Sequence, residues 1–157
     1  MTRRADLPRL DDLPIPPNVK IGPGWTGQMR EMADHIGAFA TLRICAAFGG
    51  QQLYIARDPA ASPFKDVVSA DAVHTVASVY NGNRLLIPVA RTAITRARRA
   101  AVIAMVRAGD LSGADAARII GTSRSYLAHL VNATDEGLDI GGEPRADVPS
   151  PQLDLFD

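Results

Sequence analysis

The 157-residue chain has one cysteine and few aromatic residues. Cys45 alone cannot form an intramolecular disulfide or a multi-cysteine zinc site. Because aromatic residues make up only 5% of the chain, a core must be built mainly from Ala, Val, Leu and Ile. No apolar run reaches the roughly 18 residues of a membrane-spanning helix, and no apolar stretch follows the N-terminal arginines as in a signal peptide. We therefore expect a cytoplasmic protein without membrane association.

Sequence patterns of enzymes and metal sites are also missing. The histidines, His35, His74 and His129, do not have the spacing of a zinc ligand set. No Gly-Lys-Ser/Thr phosphate loop is present, and the carboxylates form no pair suited to acid–base catalysis. Cys45 stands beside Ile44 on an apolar helix face, where packing is a more common role than nucleophilic attack. We expect no catalytic residues, no bound metal and no cofactor.

Charge is distributed unevenly, although the formal net charge is zero. Residues 1–83 contain eight basic and eight acidic residues, whereas residues 84–132 contain eight arginines and two aspartates. Residues 133–157 contain seven acidic residues and one arginine. A basic block followed by an acidic tail is typical of a polyanion-binding module with a solvated tail. The alternative is that the arginines only coat a solvated helix face.

Two similar helix–strand segments are expected in the first half of the chain. Residues 1–25 contain five of the eleven prolines and predict an arm without regular structure. Helical spacing then predicts helices over 26–36 and 38–48, followed by a short strand over 51–56. The phrase Phe48–Ile55 recurs in character 32 residues later as Tyr80–Ile87.

The second segment should contain a helix within 63–80, with Ser62 and Pro63 as its start signal. The two strands could pair with each other or with a second subunit. Because an isolated two-strand ribbon is only marginally stable, we expect packing against helices or dimerisation.

The second half of the chain predicts three helices, over 92–108, 113–120 and 123–132. The segment Ser112–Leu130 resembles a helix-turn-helix. Ala117 is small where the helices would cross, and Gly121, four residues later, permits a positive φ in a tight turn. The apolar residues expected between the helices are Ile120, Leu127 and Leu130. The alternative is an ordinary helical hairpin, but the surrounding arginines favour DNA binding.

A helix-turn-helix places the outer face of its second helix in the major groove. Arginine and asparagine there suit bidentate contacts to guanine and adenine edges, whereas other arginines would contact phosphates. The predicted groove-facing residues are Ser123, Arg124, Ser125, Tyr126, His129 and Asn132. The predicted phosphate contacts are Arg96, Arg99, Arg107 and Arg118.

The C-terminal sequence Gln152-Leu153-Asp154-Leu155-Phe156 resembles the peptide with which bacterial replication and repair proteins dock on the β sliding clamp. The resemblance implies polar contacts by Gln152 and insertion of Leu153, Leu155 and Phe156 into a hydrophobic cleft. An acidic, Pro-rich tail cannot bury this apolar cluster within itself, so the cluster could anchor to a groove. The alternative is that the tail folds back onto its own domain.

The strand phrase and the helix-turn-helix together resemble the Mor transcription activators of Mu-like bacteriophages. The likeness covers residues 29–56 and 92–132, and Gly49–Ile55 matches the family's Gly-Gly-x-x-x-Tyr-Ile phrase. The resemblance implies a homodimer, joined through the helix–strand region, that binds a promoter near the RNA polymerase site. It also implies that Gln52 and Tyr54 approach DNA from the strand.

The predicted fold is therefore mainly α with two short β-strands, a helix–strand repeat followed by a C-terminal helix-turn-helix. Its expected regions are a Pro-rich arm (1–25), a helix–strand dimerisation region (26–90), a DNA-binding region (91–132) and a disordered acidic tail (133–157). The predicted function is a phage-type, sequence-specific transcription regulator that binds double-stranded DNA as a homodimer. The alternative is a clamp-binding protein that regulates or inhibits DNA replication.

Overall fold

The structure is a computed structural model that describes residues 7–133. In this range the chain is mainly helical with one two-strand antiparallel sheet, which confirms the coarse fold prediction. The helices are α1 (Gly27–Ile36), α2 (Ala38–Phe48), α3 (Ala70–Tyr80), α4 (Arg91–Arg107), α5 (Gly113–Ile120) and α6 (Arg124–Asn132), and the strands are β1 (Gln52–Tyr54) and β2 (Arg84–Leu86). Single 3₁₀ turns lie at Leu10–Asp12 and Pro59–Ala61. None of the helices between residues 7 and 133 combines the length and apolar character needed to cross a membrane.

The described chain forms two compact units. The ribbon unit is Pro14–Ala97, and the helix-pair unit consists of residues 7–13 and 98–133. The division falls inside α4, seven residues beyond the boundary at 90/91 that the sequence suggested.

Methionine, leucine and isoleucine side chains form the core of the ribbon unit. In α1, the Thr26 hydroxyl accepts a hydrogen bond from the Met29 amide and caps the helix start. Met29 and Met32, three residues apart, then point into the core, as helical periodicity requires. They join Leu42 and Ile44 of α2 in one cluster.

Within the chain the two strands pair with each other, which is the first of the two arrangements left open by the sequence. The antiparallel register places Gln52 opposite Leu86, Leu53 opposite Leu85, and Tyr54 opposite Arg84. Side chains alternate between the two faces of a strand. The middle pair, Leu53 and Leu85, packs against the core, whereas the flanking residues are exposed.

One expectation for this half of the chain was wrong in detail. Ser62 and Pro63 do not start a helix; the Ser62 hydroxyl accepts from the Phe64 amide in a local turn, and Phe64 is fully buried. Ser69 caps α3 instead, by accepting from the Ala72 amide. The local sequence Ser62-Pro63 is compatible with a helix start and with a turn. Burial of Phe64 decides in favour of the turn.

Between residues 7 and 25 the Pro-rich segment contains no helix or strand beyond the Leu10–Asp12 turn, but several of its apolar side chains pack against the protein. Ile15 and Trp25 are buried in the core of the ribbon unit. Leu10 and Leu13 pack on the core of the helix-pair unit. Burial of these apolar residues offsets the entropy that ordering an extended segment costs.

Candidate nucleic-acid interface

The α5–α6 helix pair is defined by three local signals. The Ser112 hydroxyl accepts from the Asp115 amide at the start of α5, and the Ser123 hydroxyl accepts from the Tyr126 amide at the start of α6. Between them, Gly121 adopts a left-handed conformation with φ 82° and ψ 38°. The amides of Gly121 and Thr122 both donate to the Ala117 carbonyl, at 2.8 and 2.9 Å. The chain therefore turns sharply, and two amides of the turn satisfy the Ala117 carbonyl near the end of α5.

Small and branched apolar side chains form the contact between the two helices. Ala117 and Ile120 of α5 are buried, and so are Leu127 and Leu130 of α6, as expected from the sequence. Val102 and Ile103 of α4 complete this cluster. The helix pair is thus seated on α4 by its inner face.

The outer face of α6 is exposed. Arg124, Ser125, His129 and Asn132 all lie on the solvent side of the helix. Ser123 is exposed as well, but its hydroxyl is engaged as the N-cap. Tyr126 is half-buried against the cluster, with its ring 6.3 Å from that of His129. Of the six predicted groove-facing residues, Ser123 and Tyr126 therefore also have structural roles, whereas the other four are exposed on the helix.

Arg107 joins α4 to the end of α6. Its Nε donates to the Val131 carbonyl at 2.9 Å, and its Nη2 donates to the carbonyls of Leu130 and Ala133, at 3.2 and 2.7 Å. The carbonyls of Leu130 and Val131 belong to the last turn of α6, and that of Ala133 follows the helix directly; positive charge is favoured at this end of a helix. Arg107 was predicted to contact phosphate; in the structure its guanidinium binds the C-terminus of α6.

The other three predicted phosphate contacts have different surroundings. Arg118 is exposed and forms an ion pair with Asp115 at 2.8 Å, one turn earlier on α5. Arg99 is half-buried on the part of α4 that belongs to the helix-pair unit. Arg96 is half-buried on the part that belongs to the ribbon unit.

An arginine that was not selected from the sequence, Arg98, positions the N-terminal segment. Its Nε donates to the Leu13 carbonyl at 2.8 Å. The segment that it holds carries Leu7, Leu10 and Leu13 at intervals of three residues. This spacing, which is typical of an apolar helix face, was the available signal that the segment packs.

The other predicted contacts belong to the ribbon unit or lie outside the described range. Gln52 and Tyr54 are exposed on the outer face of the ribbon, and Arg84, which the sequence reasoning did not select, stands opposite Tyr54. The clamp-type residues Gln152, Leu153, Leu155 and Phe156 lie outside the described residues, as does nearly all of the predicted acidic tail.

Two groups in the ribbon unit have pKa values well above their ordinary values. Burial raises the pKa of the Cys45 thiol to about 11, so the thiol stays protonated at neutral pH. Burial, together with the neighbouring carboxylate of Glu31, raises the pKa of Tyr80 to about 12. The Tyr80 hydroxyl donates to Glu31 at 3.2 Å. No cluster of three potential metal ligands occurs in the part of the chain that the structure describes.

Comparison of the chain with protein-family models, with curated proteins and with solved structures found no match.

Proposed function

We propose that the protein is a sequence-specific, double-stranded DNA-binding transcription regulator of the phage or prophage type. In this proposal α5, the Gly121 turn and α6 form a helix-turn-helix, and α6 enters the major groove. The helix-turn-helix follows a helix–strand repeat formed by α2–β1 and α3–β2. RNA polymerase is the partner that the resemblance to the Mor activators implies.

The observation that carries the proposal is the outer face of α6. A helix that is buried on one side through Leu127 and Leu130 exposes hydrogen-bonding side chains on the other, at Arg124, Ser125 and Asn132. Arginine can bind the O6 and N7 edge of guanine with two donors, and asparagine can bind adenine in the same bidentate manner.

The charges near the helix pair support binding to a polyanion. Within residues 98–133, Arg98, Arg99, Arg107, Arg118 and Arg124 stand against Asp110 and Asp115. Arg124 lies at the first position of α6, at the end of the helix that enters the groove in such motifs. Since Arg107 binds the end of α6, Arg99, Arg118 and Arg124 are the arginines of this unit that we propose for DNA contact.

The test begins with selection of a binding sequence from a pool of random duplexes, followed by comparison of variants. Arg124→Ala should weaken binding to the selected duplex by about 5- to 150-fold, because a bidentate base contact is worth about 1–3 kcal/mol. Binding to an unrelated duplex should weaken much less. Arg30→Ala in the ribbon unit is the matched control, since it removes the same charge from another exposed site.

Equal affinity of wild type, Arg124→Ala and Arg30→Ala for the selected duplex would contradict the proposal. Selection of no preferred sequence would contradict it as well, since the proposal includes reading of base edges.

We also propose, on the sequence alone, that Gln152–Phe156 binds the bacterial β sliding clamp. The apolar residues Leu155 and Phe156 follow a segment with many acidic residues and prolines, from which they can reach a partner's cleft. A peptide of residues 148–157 should bind purified clamp with micromolar or tighter affinity. The same peptide with Leu155→Ala and Phe156→Ala should not bind; equal binding of both peptides, or of neither, contradicts the proposal.

A further inference from the structure

The two helix–strand units of the ribbon unit have the same local structure. Helices α2 and α3 are both 11 residues long, and α3 starts 32 residues after α2. The glycine at the entry to each strand has a positive φ, 86° at Gly50 and 80° at Gly82. Strands β1 and β2 are offset by the same interval. Each feature of the first unit thus has its counterpart at a constant distance along the chain.

The register relates the two strands by a local two-fold axis. Leu53 pairs with Leu85, which is its own counterpart. Gln52 pairs with Leu86, the counterpart of Tyr54, and Tyr54 pairs with Arg84, the counterpart of Gln52. Such an exchange is the defining property of an isologous contact, in which residue i meets j and residue j meets i.

The hydrogen bonds at the two ends of the ribbon follow the same exchange. The Ile55 amide donates to the Asn83 carbonyl at 2.9 Å, and the Ile87 amide donates to the Gln51 carbonyl at 2.9 Å. The Gly82 amide donates to Ile55, and the Gly50 amide donates to Ile87, at 2.9 and 2.7 Å. Two unrelated strands that met by chance would have no reason to pair about their equivalent residues.

The inward positions are matched between the units, whereas the outward positions are not. Ile55 and Ile87 are both fully buried, as are Ile44 of α2 and its counterpart Val76 of α3. On the outer face, however, one end of the ribbon carries Tyr54 and Arg84, and the other end carries Gln52 and Leu86.

A further exposed apolar residue, Val89, lies near the end of the ribbon that carries Gln52 and Leu86. This residue is 63% exposed, and its side chain lies beside Gly50. Its counterpart in the other unit is Arg57, which is also exposed. A ribbon made by two identical chains would have identical ends; this one has an aromatic, cationic end and an uncharged, largely apolar end.

We infer that the ribbon unit is an internal dimer: one chain supplies both halves of a two-fold contact and needs no second chain to complete it. The inference therefore replaces the homodimer that we expected through the helix–strand region. Resting on the proposed function, it further assigns the DNA target. One chain offers one α5–α6 pair and an unsymmetrical ribbon face, so the protein binds one to one at a site without palindromic symmetry.

The first test is a disulfide across the ribbon, with Gln52→Cys and Leu86→Cys in one chain. The neighbouring pairs Gln51–Ile87 and Ile55–Asn83 are hydrogen-bonded, so alternation makes Gln52–Leu86 a non-hydrogen-bonded pair, with Cα atoms about 4.5 Å apart. That separation permits a disulfide. Native Cys45 is buried with a raised pKa and should not compete.

Mild oxidation should yield a cross-link within a single chain, to the same extent from about 1 to about 100 µM protein, because the thiols are intramolecular. A cross-linked dimer, or no cross-link, overturns the inference. The matched control is Gln52→Cys with Arg84→Cys. These residues lie diagonally on the same face, about 7–8 Å apart at Cα, too far for a disulfide.

The second test is the mass of the wild-type chain and of its DNA complex by sedimentation equilibrium. We expect 16.7 kDa for the free protein and one chain per selected duplex. A mass of two chains, or two chains on a palindromic duplex, overturns the inference but leaves the proposed function intact. A chain of single mass with an intramolecular cross-link but no affinity for DNA supports the internal dimer and overturns the proposed function instead.

Discussion

Replacing Arg107 distinguishes its two roles, the predicted phosphate contact and the observed contact with the end of α6. Arg107→Ala removes three hydrogen bonds to the carbonyls of Leu130, Val131 and Ala133. A hydrogen bond to a charged group contributes about 1.5–3 kcal/mol where solvent is excluded, but Arg107 is exposed and its charge is screened. A cation at a helix C-terminus contributes about 0.3–2 kcal/mol. We therefore expect Arg107→Ala to lower the free energy of unfolding by about 1–2 kcal/mol.

The loss is measured by urea unfolding, followed by far-UV circular dichroism. The midpoint should fall with little change in the slope m, since the substitution exposes little additional surface on unfolding. Arg107→Lys should recover part of the loss, because lysine keeps the charge but not the planar fork that reaches several carbonyls. Arg118→Ala is the control, because the exposed ion pair between Arg118 and Asp115 contributes little to stability. This substitution should change the free energy of unfolding by less than about 0.5 kcal/mol.

The salt dependence of DNA binding supplies the opposing readout. A plot of log K against log salt concentration has a negative slope, and each lost phosphate contact reduces the magnitude of that slope by about 0.9. If Arg107 acts by holding α6, the slope for Arg107→Ala stays at the wild-type value once the folded fraction is taken into account. An unchanged free energy of unfolding together with a slope reduced by about one would refute the capping role.

Three further substitutions or titrations test other parts of the structure. Gly121→Ala should destabilise the protein by about 1–2 kcal/mol, because the left-handed φ of Gly121 disfavours any Cβ even though the space around it is open, and Gly121→Asn should destabilise it less. Equal Tm values for the wild type and the two variants would contradict the left-handed turn. Gly24→Ala should lower the free energy of unfolding by about 3 kcal/mol, because the φ of Gly24 is positive and a Cβ there would lie 2.9–3.0 Å from Thr92 and the Ala93 amide. Gly22→Ala should leave stability unchanged, and a similar urea midpoint for the two variants would contradict this packing. Stability should fall as pH rises from about 9, because unfolding lets Cys45 and Tyr80 ionise near 9 and 10 instead of about 11 and 12. In Cys45→Ala the loss of stability should begin only at about pH 10. A wild-type urea midpoint that stays constant from neutral pH to about pH 10 would contradict the burial of the thiol.

The sequence was most informative where the signal is local. The bounds of α5 and the start of α6 follow from Ser112, Gly121 and Ser123, each of which satisfies backbone groups within four residues of itself. These are short-range requirements, so the pattern of residues suffices to recognise them.

The errors arose where contacts between distant residues outweigh a local preference. Ser62-Pro63 is a good helix start, but burial of Phe64 takes the chain into a turn and moves the start of α3 to Ser69. The N-terminal prolines favour an extended segment, yet Leu13 is held by Arg98, 85 residues away. No periodicity in either segment specifies a partner so far along the chain.

The outer face of α6 shows how far residue roles can be narrowed once the structure is known. From the sequence, six residues of this region were equivalent candidates for contact with bases. The Ser123 hydroxyl caps the helix, and Tyr126 is partly withdrawn into the cluster, so each loses some of its capacity to reach a base edge. The four others, Arg124, Ser125, His129 and Asn132, are exposed on the helix. Because Ser123→Ala would remove a cap, it should lower stability as well as affinity, whereas substitutions at these four positions should change affinity alone if they read DNA.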